Sequence, residues 1–492
     1  MLVIGLDIGT SGVKSTVFDE NAAIVSHSYE EYEIICEGPG LFELNPVVLR
    51  DAAFRVLALS LKNVNRHEVR AICVTSFGES FVCLDAQDHV LCNTMIYMDK
   101  RGTEECGEFK SLLGEDRVFS VCGQYLDPMF ALYKIKWMQK HRRQVMGKVK
   151  RICFIADYLT YSLGADHLCD YSLAARSAMF DIGKKKWWNE GVAFSELDPA
   201  AFPNAVPSGS VVGTLSKAAC RLLGLHMRVK LIIGGHDQIV AAVGGGAHLN
   251  GDMVNGVGTV DCMTTVFGGQ QNSQEFLAYN FPVVPYIKEG QYVTYAFNMS
   301  GGCVLKWFRN VMAKDLNEDA YDLLDKETPQ EPTGILMLPY LAGAGTPTMD
   351  AHTPAVIAGL RYSTSRGELF RAFMEGETYE MKTNIDCMKK AGIEVSRVIT
   401  VGGGSHSDIW MQIRADIFNK PVEIPAYREA GTLGSAMFCY ASTGIFDSVE
   451  QAQIRLVHTS KLFKPAAENA KMYEKNYAQY KKMYEWAKES FK

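Results

Sequence analysis

Residues 4–18 read IGLDIGTSGVKSTVF, and residues 254–267 read VNGVGTVDCMTTVF. At an offset of 249, Gly9 falls on Gly258, Thr10 on Thr259, Thr16 on Thr265, Val17 on Val266 and Phe18 on Phe267, while Ile8 and Ser15 meet the similar Val257 and Thr264. Both copies read as a buried strand, a tight Gly-Thr turn and a second strand. Glycine and threonine are common in turns, yet five identities at one offset, each copy opening its half of the chain, read as a duplication. Two similar domains are then expected to present two similar turns toward a common cleft.

The rest of the chain fits that frame. At 492 residues it is too long for one ordinary core, and two or three domains are expected. RAICVTSF (70–77), VKLIIGG (229–235) and RVITVGGG (397–404) read as buried strands ending in small residues. ELFRAFMEGETYEMKTNIDCMKKAG (368–392) has helical periodicity and closes on Gly392. This alternation is that of an α/β protein with covered sheets. The glycine-rich AAVGGGAHLNGD (241–252) marks the expected boundary, giving domains at 1–245 and 246–455. A packing helix over 456–492 follows, with Tyr473, Tyr477, Tyr480, Tyr484 and Phe491 on one face. A net charge of −6 carries no polyanion-binding signature, so no nucleic acid partner is expected. No signal peptide and no membrane-length apolar run is visible, so no membrane association and a cytoplasmic location are expected. Thirteen cysteines without a C-x-x-C pair, and eleven histidines without ligand spacing, point to free thiols in a reducing compartment rather than to disulfides or zinc.

A glycine turn lets backbone amides converge on an anion, and Thr10, Ser11 and Thr259 add hydroxyls while Lys14 adds a cation. Two such turns suit a polyphosphate. Neither the Walker spacing nor the dinucleotide fingerprint occurs. Asp7, just before the first turn, suits either a phosphate-bound magnesium ion or local hydrogen bonding in the turn. In GGHDQIVAAVGGG (234–246), Asp237 lies at the carboxyl end of a strand, where it can accept a proton from a substrate hydroxyl or simply cap a helix. VGGGSHSDIWMQIRADIF (401–418) is a third glycine loop opening a helix, bare enough for a base or ribose or serving as a plain turn.

With these residues assembled, the chain resembles the FGGY family of carbohydrate kinases, over nearly its whole length and in order. DIGTSGVKS resembles the family's first phosphate hairpin, and YMDKR (97–101) its W-x-D-x-R stretch with Tyr97 for tryptophan. GGHDQ resembles the catalytic-aspartate segment, and GVGT (256–259) the second phosphate turn, with Val260 in place of serine. SGGCVLKW (300–307), LPYLAG (338–343) and AVIAGLRYSTSRGELFRAFMEG (355–376) follow the family pattern, as does the loop at 402–405.

The resemblance implies two duplicated ribonuclease H-like (actin-like ATPase) domains around a central cleft. It implies ATP on Thr10, Ser11, Lys14, Gly258, Thr259, Gly403, Gly404 and Ser405, Mg2+ near Asp7, and Asp237 as the catalytic base. Glu79, Asp99, Arg101 and Gln238 become the contacts to a small sugar or polyol substrate. The implied substrate is a ketopentose such as D-xylulose, with glycerol, gluconate or another polyol as alternatives, because SFGES (76–80) departs from the known variants of that stretch. A homodimer is compatible with it. The competing reading of another class is a non-catalytic actin-like nucleotide-binding module.

Overall fold

The computed structural model describes residues 1–269, 273–316, 320–427 and 429–491. It divides into two units. The first comprises Met1–His248, Pro282–Val293 and Glu429–Val457, and the second Leu249–Phe281, Thr294–Arg428 and His458–Lys492.

The first unit is built on a six-stranded sheet. Its members are β1 (Leu2–Ile8), β2 (Gly12–Phe18), β3 (Ile24–Glu31), β4 (Val69–Ser76), β7 (Val211–Thr214) and β8 (Lys230–His236). Two short strands, β5 (Arg151–Phe154) and β6 (Leu168–Asp170), stand outside it. The order across the sheet is β7-β8-β4-β1-β2-β3. β1 pairs parallel with β4 and β4 parallel with β8, whereas β1–β2 and β2–β3 are antiparallel. The parallel strands LVIGLDI and VRAICVTS are almost wholly buried, as strands covered on both faces must be, while the edge strand IVSHSYEE alternates with polar residues.

The second unit repeats the plan. It contains β9 (Asp252–Val257), β10 (Asp261–Gly268), β11 (Gln291–Asn298), whose first residues lie in the first unit, β12 (Arg397–Val401), β13 (Val422–Pro425) and β14 (Thr459–Phe463). They run β11-β10-β9-β12-β13-β14. β9 pairs antiparallel with β10 and parallel with β12, and β12 pairs parallel with β13. The duplication seen in two short stretches thus extends to whole sheets: a hairpin, then two parallel neighbours, closed by an antiparallel edge strand (β7, β14). The turns match in length as well, Gly9–Ser11 against Gly258–Val260.

Of Gly244 and Gly245, at the expected boundary, the first serves close helix packing. Both lie in the helix Asp237–Gly245, and a Cβ at Gly244 would stand 1.9 Å from the Ala430 carbonyl oxygen. Gly434 meets the Val240 carbonyl oxygen equally closely, at 2.0 Å, so this helix and Ala430–Thr443 touch backbone to backbone. The latter helix also lies against β1, where a Cβ at Gly5 would stand 2.6 Å from the Thr432 carbonyl oxygen. This is why Glu429–Val457 packs with the first unit, although it is far along the chain from the other segments of that unit. The C-terminal helix Ala467–Ser490 buries Tyr473, Tyr477 and Tyr480 in the second unit. Their hydroxyls reach Arg371 and Glu375, Thr383, and Glu380 respectively. Tyr484 is half-buried, and Phe491, beyond the helix end, is exposed rather than part of the packed stripe. No helix among the described residues is long and apolar enough to cross a membrane.

Candidate active site

In the first unit the β1–β2 turn closes by Gly9 N–H donating to the Gly12 carbonyl at 2.9 Å, and the Tyr32 hydroxyl donates to the Gly9 carbonyl. Gly12 leaves room for Tyr29, whose Oη would stand 2.5 Å from an added Cβ. Thr10 is half-buried and Ser11 exposed at the tip. Asp7 and Lys14 face each other in register, yet the Lys14 ammonium is ion-paired with Glu429 rather than with Asp7. The Asp7 carboxylate lies against the start of the helix Ala430–Thr443, where Gly431 admits it: a Cβ there would stand 2.8 Å from Asp7 Oδ2. Burial pushes the Asp7 carboxyl up to about 6; Lys14 opposes that rise and Glu429 adds to it.

Asp237 follows β8 and is the first residue of its helix. It is therefore not the cap, a place taken by the backbone of His236. Although 31% of its side-chain surface is open, protein atoms crowd it closely. Desolvation, then the charges of Asp7 and Glu79, push its carboxyl up to about 8, against hydrogen bonding from Gln238. Asp7, Glu79, Asp237 and Gln238 are thus brought into one electrostatic neighbourhood. His236 joins them, with Nδ1 3.5 Å from Asp237 Oδ1 and Nε2 3.9 Å from Glu79 Oε1. Burial brings its imidazole down to about 4, so it is neutral near pH 7.

The segment 170–176 supports this group. The buried Asp170 accepts from Ser172 Oγ at 2.5 Å and Ser208 Oγ at 2.6 Å, and Ser172 Oγ accepts the His236 amide at 2.9 Å. Gly235, at φ +115°, has no room for a side chain beside Asp170. Arg176 pairs with Glu79 through Nε and donates from Nη1 to Gln124 Oε1 at 2.8 Å. Gly78 admits the His236 ring, which an added Cβ would meet at 2.6 Å. Sequence reading missed Arg176, Gln124 and His236. Arg176 lies close in sequence to Asp170 and His236 next to Asp237, whereas nothing local in the sequence points to Gln124.

Asp99 and Arg101 form a separate, buried constellation. Arg101 Nη2 donates to Asp99 Oδ2 at 2.5 Å and its Nη1 stands 2.7 Å from Glu43, while the Phe42 amide donates to Asp99 at 2.8 Å. Both oxygens of Asp99 are engaged within the protein. Tyr97 does reach the acidic group. Burial first, then the charges of Glu79 and Asp237, push its phenol up, and a hydrogen bond with Thr10 acts in the opposite direction.

In the second unit Gly258 and Thr259 lie exposed on the β9–β10 turn. The amides of Gly302 and Cys303, in the first turn of the helix Gly301–Met312, donate to the Gly258 and Thr259 carbonyls at 2.9 and 3.1 Å. A Cβ at Gly301 would stand 2.4 Å from the Asp261 amide, which explains the paired glycines there. The parallel pairing of β9 with β12 brings the glycine loop beside this turn. Gly402, at φ +88°, lies against the Val257 carbonyl, and Gly404 against the Val257 side chain. Gly403 faces open space. Ser405 is buried, its hydroxyl turned inward to the Gly402 carbonyl at 2.7 Å. Behind the turn, Asp261, Asn255 and Arg414 form a fully buried network.

Each unit therefore offers a glycine turn suited to an anion, one beside carboxylates and the other beside a bare loop. Residues 2–244 match the N-terminal domain, and residues 253–443 the C-terminal domain, of the FGGY family of carbohydrate kinases. The chain is 27% identical to the xylulose kinase of Bacillus subtilis (strain 168) over 491 residues, covering 99% of this chain and 97% of that protein. It is 25% identical to the gluconokinase of the same organism over 485 residues, covering 96% and 93%. The crystal structure of a xylulose kinase from Lactobacillus acidophilus shares the fold at TM-score 0.91 and 21% identity, covering 100% of this chain and 99% of that one. With both family domains matched in order along the sequence, the protein belongs to the FGGY family of carbohydrate kinases.

Proposed function

We propose that this carbohydrate kinase transfers the γ-phosphoryl group of ATP to a hydroxyl of a ketopentose such as D-xylulose, with Asp237 as general base. The observation that carries the reading is the Asp237 carboxylate at the end of β8, raised to about 8 by burial and by two neighbouring acids. A carboxylate of that basicity takes a proton from an alcohol as the oxygen bonds to phosphorus far better than an ordinary one. Gln238 hydrogen-bonds to it, and the neutral His236 packs beside it. In the first unit Thr10 and Ser11 offer amides and hydroxyls to an anion, the Gly9 amide closing the turn; in the second, Thr259 does so beside Gly258, and Gly403 leaves a bare surface.

The donor chemistry beside the first turn fits magnesium. Asp7 is an oxygen ligand held near neutrality by burial and a neighbouring acid, so a hard cation stabilises its ionised form. When bound with the nucleotide, magnesium supplies neutralisation of the phosphate charge.

The group around Asp237 favours a neutral substrate. Arg176 is engaged by Glu79 and Gln124, and Arg101 by Asp99 and Glu43, so acids predominate beside Asp237. That suits a sugar or polyol better than gluconate, whose carboxylate meets like charge. The relatives named xylulose kinase point the same way. An ADP-release screen across ketopentoses, glycerol, pentitols and aldonates tests the reading. A ketopentose is expected to give the highest kcat/KM, and a clear preference for gluconate or glycerol would overturn it.

A further inference from the structure

Away from the carboxylates described above, the segment 151–170 gathers three different metal-binding side chains. Cys153 lies on β5, Asp157 in the first turn of the helix Ile155–Leu163, and His167 just before β6. One ligand atom from each, a thiol sulfur, a carboxylate oxygen and a ring nitrogen, lies within 4.8 Å of the other two. No other such group occurs among the described residues.

Asp157 is what makes the cluster unusual. It is fully buried, and neither carboxylate oxygen makes a well-formed hydrogen bond, the nearest donors being the Asp157 and Phe154 amides and the Cys153 thiol. A buried carboxylate left this way carries a desolvation penalty that protein interiors avoid. The cluster thus contains an acid that gains by acquiring a cation.

His167 is prepared for the same role. Its Nε2 lies 2.9 Å from the Ile152 carbonyl oxygen, which can only accept, so Nε2 carries the proton and Nδ1 keeps a lone pair. A histidine whose other ring nitrogen donates to a backbone carbonyl is the usual arrangement at protein metal sites.

We propose that Cys153, Asp157 and His167 form a zinc site that staples β5, the following helix and β6, its fourth position falling to water. One thiolate, one imidazole and one carboxylate suit zinc rather than magnesium or calcium. In a tetrahedral zinc site neighbouring ligand atoms are roughly 3.5 Å apart, so small inward shifts of the three side chains complete it. Binding releases the thiol and carboxyl protons to solvent. The ligand spacing C-x3-D-x9-H belongs to none of the familiar zinc patterns, which is why the sequence pointed away from zinc. The staple also has a structural connection to the active site: β6 ends at Asp170, which holds Ser172 and through it the His236 amide.

The test uses the full chain, stripped with a chelator under reducing conditions and titrated with Zn2+ or Co2+ alone. The expected result is about one metal per chain, a thiolate-to-cobalt charge-transfer band in the near ultraviolet, and a rise in Tm with Zn2+ but not with Mg2+. Cys153→Ser should abolish the band, and His167→Gln, at a half-buried position, should weaken binding by about tenfold or more. Circular dichroism establishes that each variant is folded. Failure of the folded wild-type chain to bind Co2+ with a thiolate band overturns the proposal. So does binding that survives both substitutions unchanged, because other cysteines then hold the metal.

Discussion

Asp237→Asn separates the electrostatic account of the site from its catalytic one, because it predicts a gain in stability. The Asp237 carboxyl is raised from 3.8 to about 8 in the folded chain. Between those values the folded state holds a proton that the unfolded state has released, so stability falls as pH rises through this window and levels off above about 8. Each tenfold change in proton affinity is worth ~1.4 kcal/mol, so a fully ionised Asp237 costs at most ~6 kcal/mol. Its 31% exposure lets solvent screen part of that charge, leaving about 2–3 kcal/mol. Asparagine has nearly the same shape and no charge. In ligand-free chain, urea denaturation at a series of pH values should show the variant matching wild type near pH 4, pulling ahead from pH 5 upward, and holding a constant lead above pH 8. A difference that does not change with pH would refute the claim that Asp237 is a destabilised acid.

Three further outcomes follow from the geometry. Asp7→Asn removes one of the charges that raise Asp237, so the acid limb of kcat/KM for ATP, near pH 8 in wild type, should move to lower pH; an unmoved limb contradicts the coupling. Arg176→Met leaves Glu79 buried beside His236 without its main partner and should destabilise by about 3–5 kcal/mol, with partial recovery in the double variant that adds Glu79→Gln. If the double variant is as unstable as the single, the unpaired charge of Glu79 is not the cause of the loss. Gly403→Ala meets nothing within 4 Å and should leave Tm unchanged while raising the KM for ATP, whereas Gly404→Ala drives a Cβ to 2.3 Å from Val257 and should lower Tm as well. An unchanged KM in Gly403→Ala removes the nucleoside from that loop.

The duplicated plan was legible because it is written locally. A Gly-Thr turn between two buried strands needs the same small and hydroxyl residues each time, so Gly9–Thr10 and Gly258–Thr259 repeat at one offset. The buried strands at 70–77, 229–235 and 397–404 were readable for the same reason. Much of what holds the candidate site together was not. Arg176 meets Glu79, and Glu429 meets Lys14, only after distant segments pack, and no local spacing encodes either pair. Gly244 falls in a stretch that reads as a domain boundary, because a glycine chosen for close helix contact and one chosen for a junction are the same residue. Asp237 could be read as a helix cap until its position, one residue inside the helix, was seen.

The central claim is tested most directly by single-turnover transfer from [γ-32P]ATP to D-xylulose, with wild type and Asp237→Asn compared at matched ATP occupancy. The account predicts sugar-dependent transfer in wild type, a fall of about 10²–10⁴-fold in the variant, and ATP affinity unchanged within error. Equal transfer rates in the two proteins would contradict it, and would leave Asp237 a buried acid with no part in the chemistry.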